Sequence, residues 1–228
     1  MGKINKRCII NVAIGHPYNK YQLRLIESIK KEMPDTDMLM WNEYLPTDSR
    51  PHSESMYGFK MYAFKEAFEK YDSVIWLDSP TVLHKSIAPI FDILEANSKG
   101  ELIVSTEANL YQYVNDKTLA HYGFTRQEVK DRKWMLNYGF VFGFTKYCDT
   151  YNEMFDAERL GLFSTAAEDN YDHMNNSFKA FNGEYVEHRH EESIISLLVQ
   201  MQGRKLIPLS EFNKSTTDKY FSFEKTPL

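Results

Sequence analysis

An aspartate directly follows a strongly apolar segment of the chain. Residues 73–77 (S-V-I-W-L) form a continuous apolar run that predicts a strand buried on both faces, and Asp78 and Ser79 come next. In α/β sheets, ligands bind beyond the carboxyl ends of the strands, which is where Asp78 is placed. A carboxylate there can hold a hard divalent cation, and such a cation can bridge a diphosphate. The alternative is that Asp78 only caps the turn begun by Ser79 and Pro80.

Two histidines and two glutamates stand immediately before a strongly apolar helical pattern. They are His188, His190, Glu191 and Glu192, and the helix is predicted over 191–201. A helix N-terminus presents backbone N–H groups without partners, so polar side chains gathered there favour a ligand site. The spacing is not the H-E-x-x-H pattern of zinc enzymes. The alternative is that the two glutamates only complement the helix dipole.

Two further features are candidates for contact with a ligand. In the strand predicted over 136–144, the sequence Asn137-Tyr-Gly139 interrupts an apolar pattern, and a glycine there would let a sugar or a loop lie against the sheet. The alternative is a β-bulge. Lys60, in the first turn of a predicted helix, could reach a phosphate, although a solvated surface lysine is the more common case.

Several well-known nucleotide and hydrolase motifs do not occur. Gly15 follows the first predicted strand, but it belongs to no G-x-G-x-x-G sequence, so a dinucleotide fold receives no support. There is no G-x-x-x-x-G-K sequence and no G-x-S-x-G elbow, which excludes P-loop and α/β-hydrolase chemistry.

The periodicity of apolar residues predicts alternating strands and helices. Such alternation is typical of an α/β sheet with right-handed crossovers. The sequence Thr125-x-x-Glu128 predicts a capping box and a short helix, whereas 164–182 has no assignable pattern. Strands are expected over 8–14, 37–41, 73–77, 102–105, 136–144 and 205–209, and helices over 18–33, 57–68, 87–94, 148–160 and 191–201.

Composition narrows the class of protein. The chain has 228 residues, of which 43% are hydrophobic, as in a globular domain. It carries 27 basic and 32 acidic residues, and this balance argues against a nucleic-acid partner. Two cysteines outside any C-x-x-C pair fit a reducing compartment, and neither a signal peptide nor an apolar run of about 18 residues occurs. We therefore expect a cytoplasmic protein without a transmembrane segment, with one domain over 1–209 and a polar C-terminal tail or linker over 210–228.

Taken in chain order, the segments described above resemble the nucleotide-sugar glycosyltransferases of the GT-A fold. The resemblance covers most of residues 8–209, and the order of the segments carries it more than any single motif. It implies a GT-A (Rossmann-like), mixed and mainly parallel central sheet flanked by helices, with residues 1–209 as a single catalytic domain. The matching segments are 9–15, 57–60, 76–79, 137–142 and 188–193.

The resemblance implies transfer of a sugar from a nucleotide-diphosphate donor to a glycan or another hydroxyl acceptor. A UDP or GDP sugar is the expected donor. The loop after the first strand, with Ala13 and Gly15, would meet the base and ribose, and Lys60 would contact the diphosphate. The other residues expected to contact the donor are Ser79, Asn137 and Gly139.

The resemblance also implies a metal site and a catalytic pair. Asp78 would stand where the family's D-x-D motif holds Mn²⁺ or Mg²⁺, and His188 or His190 could complete the set of metal ligands. Glu191 and Glu192 would bind hydroxyls of the donor sugar or flank the reacting carbon. Asp78, Glu191 and Glu192 are thus the expected catalytic residues.

This sequence departs from the family pattern at the metal motif, because Pro80 stands where the second aspartate of D-x-D would be. Three outcomes follow: a histidine substitutes, the metal is held loosely through the diphosphate, or the enzyme needs no metal. The alternatives to an active transferase are a degenerate module that binds a nucleotide sugar or glycan without turnover, and a metal-dependent hydrolase.

Overall fold

The structure, a computed structural model, describes residues 5–163, 171–172, 177–178, 185–215 and 217–225. Two short 3₁₀ turns, Leu110–Gln112 and Leu209–Glu211, accompany the regular elements. The strands are β1 (Arg7–Val12), β2 (Asp37–Trp41), β3 (Ser73–Leu77), β4 (Thr81–Leu83), β5 (Glu101–Asn109), β6 (Met135–Thr145), β7 (Tyr171–Asp172), β8 (Ser177–Phe178), β9 (Ile207–Pro208) and β10 (Phe221–Phe223). The helices are α1 (Tyr18–Glu32), α2 (Phe59–Ala67), α3 (Ala88–Ala96), α4 (Asp116–His121), α5 (Arg126–Asp131), α6 (Asp149–Arg159) and α7 (Glu191–Met201).

Six strands form the central sheet, in the order β2-β1-β3-β6-β5-β9. Strand β6 runs antiparallel to β3 and β5, and the other neighbouring pairs are parallel. The predicted mixed and mainly parallel central sheet flanked by helices is confirmed. The carboxyl ends of β1, β3 and β5 meet at one edge of this sheet, which is the edge where α/β proteins bind ligands.

Helices cover both faces of the sheet. Along β1, Ile9 packs on the face covered by α1 and α3, and Ile10 packs on the face covered by α2, α6 and α7. Strand β3 is buried along its whole length, as its continuous apolar run predicts. Each large apolar side chain buried in this way contributes roughly 2 kcal/mol to stability, so the two layers hold the edge of the sheet in place.

Helix α2 is anchored to the sheet by aromatic rings. The ring of Phe64 lies 5.5 Å from that of Phe142 and 5.1 Å from that of Phe144, both on β6. Met61, on the same side of the helix, is fully buried. These contacts fix the first turn of α2 above the middle of the sheet, near the carboxyl end of β3.

The segment after Leu209 packs against the sheet domain in the described residues, which corrects the expectation of a polar tail or linker over 210–228. Strand β10 pairs with β4, and Phe221 stands opposite Leu83. Phe212 and Phe221 are buried in the same core cluster as Ile9. Phe221 and Phe223 alternate with a polar residue, which is the period of a strand, and burial of the first ring holds the segment.

Several predicted elements are confirmed, with small changes at their ends. Strands β2 and β3 and helix α7 have the predicted bounds, whereas β1 ends two residues before Ile14, where the chain turns through Gly15 with a φ of 78°. The capping box of Thr125 and Glu128 is present at α5. The segment 164–182 lies mostly outside the described residues. Among the helices described, none combines the length and apolar character needed to cross a membrane.

Candidate active site

Segments that are far apart in the chain meet at the side chain of Lys60. Its Nζ lies 2.6 Å from Oε1 of Glu191 and 3.3 Å from Oδ1 of Asp78. It also donates to the carbonyl oxygen of Gly139 at 3.3 Å. The structure thus brings together four of the residues that the sequence singled out, at the carboxyl end of β3.

Lys60 is a buried cation and not the solvated surface lysine of the alternative interpretation, since only 2% of it is exposed. Its ammonium group lies 4.8 Å from the ring centre of Trp76 and 5.4 Å from that of Tyr57, positions that favour cation–π attraction. Burial alone would lower the pKa of Lys60, but the carboxylates of Asp78 and Glu191 outweigh this effect and hold that pKa above its usual value. The side chain therefore stays charged.

The carboxylate of Asp78 turns toward Lys60 and does not cap the following turn. Its Oδ1 accepts a hydrogen bond from Nε1 of Trp76 at 2.6 Å. The turn after β3 is closed by the backbone, because the N–H of Thr81 donates to the backbone oxygen of Asp78 at 3.0 Å. The side chain of Asp78 is 27% exposed, against 3% for that of Lys60. Asp78 is thus the member of this group that a ligand can reach most directly.

The two glutamates that begin α7 point their carboxylates at cations. Glu191 binds Lys60, and Oε2 of Glu192 accepts a hydrogen bond from Nε of Arg189 at 3.1 Å. Arg189 also pairs with Glu187, at 2.9 Å. Burial raises the pKa of both Glu191 and Glu192, while Lys60 and Arg189 oppose the rise. Neither glutamate therefore serves only to complement the dipole of α7.

Strand β6 contacts the carboxylate of Glu192 at Gly139. A Cβ atom at this position would overlap Oε1 of Glu192 and lie 2.6 Å from its Cγ. The missing side chain is therefore what lets Glu192 lie against the strand. The pairing of β5 with β6 also shifts register between Ile103–Phe142 and Ser105–Asn137, which favours the alternative of a β-bulge. We call Lys60, Asp78, Gly139, Glu191 and Glu192 the Lys60 cluster.

His188 lies in the interior and does not reach the Lys60 cluster through either nitrogen. Its Nδ1 accepts from the backbone N–H of Asn115 at 3.3 Å, and its Nε2 is 3.1 Å from the backbone oxygen of Leu162. Burial, and next the neighbouring His190, lower the pKa of His188 to about 3. The ring is therefore neutral, with both nitrogens bound to the backbone and no lone pair turned toward a metal.

The described residues do not fit the Mn²⁺ or Mg²⁺ that the resemblance implies. None of them form a group of three or more His, Cys, Asp or Glu side chains placed to hold a metal ion. Nδ1 of His190 is 2.8 Å from the backbone oxygen of Phe163. Pro80 supplies no second carboxylate, and Oδ1 of Asp78 is shared between Trp76 and Lys60. Hard divalent cations prefer several free carboxylate oxygens, which this arrangement does not offer.

The other residues expected at the donor site lie along the same edge of the sheet. Ala13 is buried after β1, where its N–H donates to the backbone oxygen of Trp41, and Gly15 is exposed in the next turn. Because β1 and β3 are parallel neighbours, this loop lies beside Asp78. Ser79 is 5% exposed and belongs to the turn after β3.

Asn137 is buried next to Gly139, and its backbone N–H donates to Oγ of Ser196 on α7 at 2.6 Å. Its side-chain oxygen and nitrogen have no hydrogen-bond partner among the described residues. An unpaired buried amide costs roughly 1–3 kcal/mol, and sites that bind ligands tolerate such a cost. The predicted contact of Asn137 with a ligand stays a prediction.

The sequence did not single out two features that complete the site. Arg189 lies between the two histidines in the sequence, but the sequence does not show which acidic residues it pairs with. Tyr138, Phe140 and Phe223 form an aromatic group, with the ring of Phe223 5.0 Å from that of Tyr138 and 4.5 Å from that of Phe140. Burial, and next the carboxylates of Glu192 and Asp78, raise the pKa of Tyr138 to about 12. Tyr138 and Phe223 pack on the face of the sheet that α1 and α3 cover, whereas α2, which carries Lys60, covers the other face.

Two of the cavities at the surface lie outside the Lys60 cluster. One of about 680 Å³ is lined by Arg7 and Tyr71 at the opposite edge of the sheet. Another of about 850 Å³ is lined by Trp134 and Arg204, near the end of β5. Residues of the Lys60 cluster line neither of these two cavities. The candidate site is recognised by its buried charges.

The fold and the site define an α/β protein with buried, paired charges at the carboxyl edge of its sheet. No protein-family model and no curated protein sequence matches the chain. A solved structure described as that of a glycosyltransferase involved in the glycosylation of the major capsid of PBCV-1 is similar over 96% of this chain and 95% of that chain. The sequence identity is 13% and the TM-score is 0.48.

Proposed function

We propose that the chain is a glycosyltransferase that moves a sugar from a nucleotide-diphosphate donor, a UDP or GDP sugar, to a hydroxyl of a glycan or another acceptor. The observation that carries the proposal is the Lys60 cluster, in which three carboxylates and one ammonium group meet at the carboxyl edge of the mixed sheet. Ligands bind at this edge in α/β proteins.

Sugar transfer requires positive charge near the departing diphosphate and negative charge near the sugar carbon. Preorganised charges in a site that excludes water stabilise such a transition state more strongly than the same charges in water. Lys60 and Arg189 supply fixed cations. Glu192, pinned between Arg189 and Gly139, supplies a carboxylate whose raised pKa suits it to accept a proton from the attacking hydroxyl. Asp78, the most exposed of the three acids, would contact the donor.

The aromatic group at the same edge of the sheet, where the backbone of Phe140 accepts from the N–H of Asp78, supports a sugar as the ligand. The rings of Tyr138, Phe140 and Phe223 are half-buried and leave part of their surface open. An apolar surface next to a few well-placed polar groups is typical of small-molecule sites, and a pyranose ring has both an apolar face and hydroxyls. The sugar would lie on this group, with its hydroxyls turned to Asp78 and Glu192.

A binding module without turnover is the second candidate, and a specific observation favours it. Pro80 removes one carboxylate of the metal motif, so the chain lacks a group that an active relative of the GT-A type would use. The hydrolase hypothesis has no corresponding support, because the described residues contain no set of His and acidic side chains placed to hold a metal.

The first test is a thermal-shift screen of UDP, GDP, CMP and dTDP sugars, because a ligand that binds only the native state raises the melting temperature. Release of the nucleotide is then measured with and without glycan acceptors. A shift with one nucleotide and acceptor-dependent release is the expected result. A shift without release would support the binding module, and release of free sugar without acceptor would indicate a hydrolase. If no nucleotide gives a shift, the proposed function is wrong.

Asp78→Ala is the variant for this test, with Asp116→Ala as the matched control. The side chain of Asp116 is 77% exposed and pairs with Arg126 outside the Lys60 cluster. An active transferase should lose turnover in the first variant and keep it in the second, while both remain folded. If the two variants have equal activity, Asp78 is not part of the active site.

A further inference from the structure

The Lys60 ammonium group occupies the position that a divalent cation bound to both Asp78 and Glu191 would take. Its Nζ contacts a carboxylate oxygen of each, at 3.3 Å and 2.6 Å, and only 2% of the residue is exposed. The three N–H donors of an ammonium group suffice for these two oxygens and the carbonyl oxygen of Gly139. The cation is therefore part of the fold, and the first turn of α2 holds it.

A metal ion bound to Asp78 would compete with this arrangement. It would sit within a few ångströms of the Lys60 ammonium group in a largely desolvated place, where like charges repel strongly. A metal ion bound through Oδ1 of Asp78 would also displace the hydrogen bond from Nε1 of Trp76. Glu191, whose side chain is 3% exposed, turns its carboxylate to Lys60 and away from solvent. The carboxylates of Asp78 and Glu191, which a metal would use, are thus already paired with the buried Lys60 ammonium group.

We infer that Lys60 takes the electrostatic place of the divalent cation, so that the site binds a nucleoside diphosphate without Mn²⁺ or Mg²⁺. This inference rests on the proposed function. Lys60 is a positioning residue in this scheme. It offsets the charge of Glu191 and part of that of Asp78, which weakens their repulsion of a diphosphate, and it fixes the Asp78 carboxylate that meets the donor.

The test measures binding of UDP and GDP by titration calorimetry, in EDTA, in Mg²⁺ and in Mn²⁺. We expect one of the two to bind the wild-type chain with the same dissociation constant, within about twofold, in all three conditions. Binding that requires Mn²⁺ or Mg²⁺ would overturn the inference and leave the proposed function standing. An absence of binding in all three conditions would overturn both.

Lys60→Met keeps the length of the side chain and removes its charge. We expect it to weaken nucleotide binding in EDTA by about tenfold or more. Because this variant leaves Glu191 buried without its partner, the double variant Lys60→Met/Glu191→Gln, which removes both charges, is tested beside it. Lys65→Met is the matched control, since Lys65 is on the same helix and pairs with Asp48 at the surface. Nucleotide binding that is unchanged in both Lys60 variants would overturn the inference.

Direct binding of Mn²⁺, followed by electron paramagnetic resonance without nucleotide, is independent of the donor. The wild-type chain should not bind Mn²⁺ at this site, because the carboxylates of Asp78 and Glu191 are already paired with the Lys60 ammonium group. Lys60→Met exposes the oxygens of Asp78 and Glu191 to a cation and should gain Mn²⁺ binding, which Asp78→Ala in the same background should remove. Mn²⁺ binding to the wild type that Asp78→Ala abolishes would overturn the inference, whatever the nucleotide result.

Discussion

The rings of Tyr57 and His190 are 5.4 Å apart, and both residues have a positive φ, 58° and 49°. Each residue stands just before a helix of the site: Tyr57 precedes α2, which carries Lys60, and His190 precedes α7, which begins with Glu191. Residues other than glycine rarely adopt this backbone conformation, and it costs of order 1–3 kcal/mol at each position. The contact between the two rings therefore joins the two helix starts at the point where their charged side chains must meet.

The backbone conformation of His190 leads to a comparison of two variants. His190→Ala and His190→Gly both remove the imidazole ring, so they differ only by one Cβ atom. At a φ of 49° and a ψ of −119°, that atom is unfavourable, so His190→Gly should be more stable than His190→Ala by about 1 kcal/mol. Urea unfolding of both variants measures the difference. Equal stability would show that this helix start carries no backbone strain.

Glu192→Gln tests the carboxylate that we place beside the reacting sugar. The substitution keeps the shape of the side chain and removes the proton acceptor, so acceptor-dependent transfer should fall by more than about tenfold. The melting temperature should barely move, because Arg189 retains Glu187. Glu187→Gln is the matched control, since it makes the same change at the same arginine outside the Lys60 cluster. If the two variants have the same kcat/KM, Glu192 is only a residue of the helix start.

The sequence predicted the elements of the fold better than it predicted the contacts of the site. Strand β3 and helix α7 followed from local periodicity, and the position of Asp78 followed from the end of that strand. The pairing of Lys60 with Glu191 could not be predicted, because it joins distant segments and because a lysine beside aromatic residues is usually at the surface. The fully occupied nitrogens of His188 depend on backbone groups of two other segments, which no local pattern reveals.

Gly139→Ala should impair the site through Glu192. The new Cβ atom would overlap the Glu192 carboxylate, so this carboxylate must move, and transfer should fall by about tenfold or more. The same change made in the Glu192→Gln background should have a much smaller further effect, because the displaced carboxylate is already gone. Measured kcat/KM values for the two single variants and the double variant decide this. Fully additive losses would mean that Gly139 acts on another group.

The buried His188 predicts a loss of stability in acid. Below about pH 6.5 the unfolded chain protonates this histidine, whereas the folded chain, with a pKa of His188 near 3, does not until far lower pH. The unfolded state then binds more protons, so the free energy of unfolding decreases by up to about 1.4 kcal/mol for each pH unit in this interval. Urea unfolding at about pH 7 and about pH 5 measures the loss.

The control for this prediction is a pair of glutamine variants. Glutamine offers both a donor and an acceptor, so His188→Gln can keep the two backbone hydrogen bonds and should show a smaller loss of stability between the two pH values. His121→Gln, at an exposed histidine of α4, should behave as the wild type does. An acid-induced loss that is equal in all three proteins would assign the effect to other groups.

The C-terminal strand offers two rings with different roles. Phe221 is fully buried and lies 6.3 Å from Phe212 between ring centres, so Phe221→Ala should lower the free energy of unfolding by roughly 3–5 kcal/mol. Phe223 is half-buried beside Tyr138, so Phe223→Ala should cost less stability and instead weaken binding of the sugar, seen as a raised KM. Urea unfolding and initial rates separate the two effects. If both variants keep wild-type stability and KM, this segment is dispensable for the fold and the site, as a tail would be.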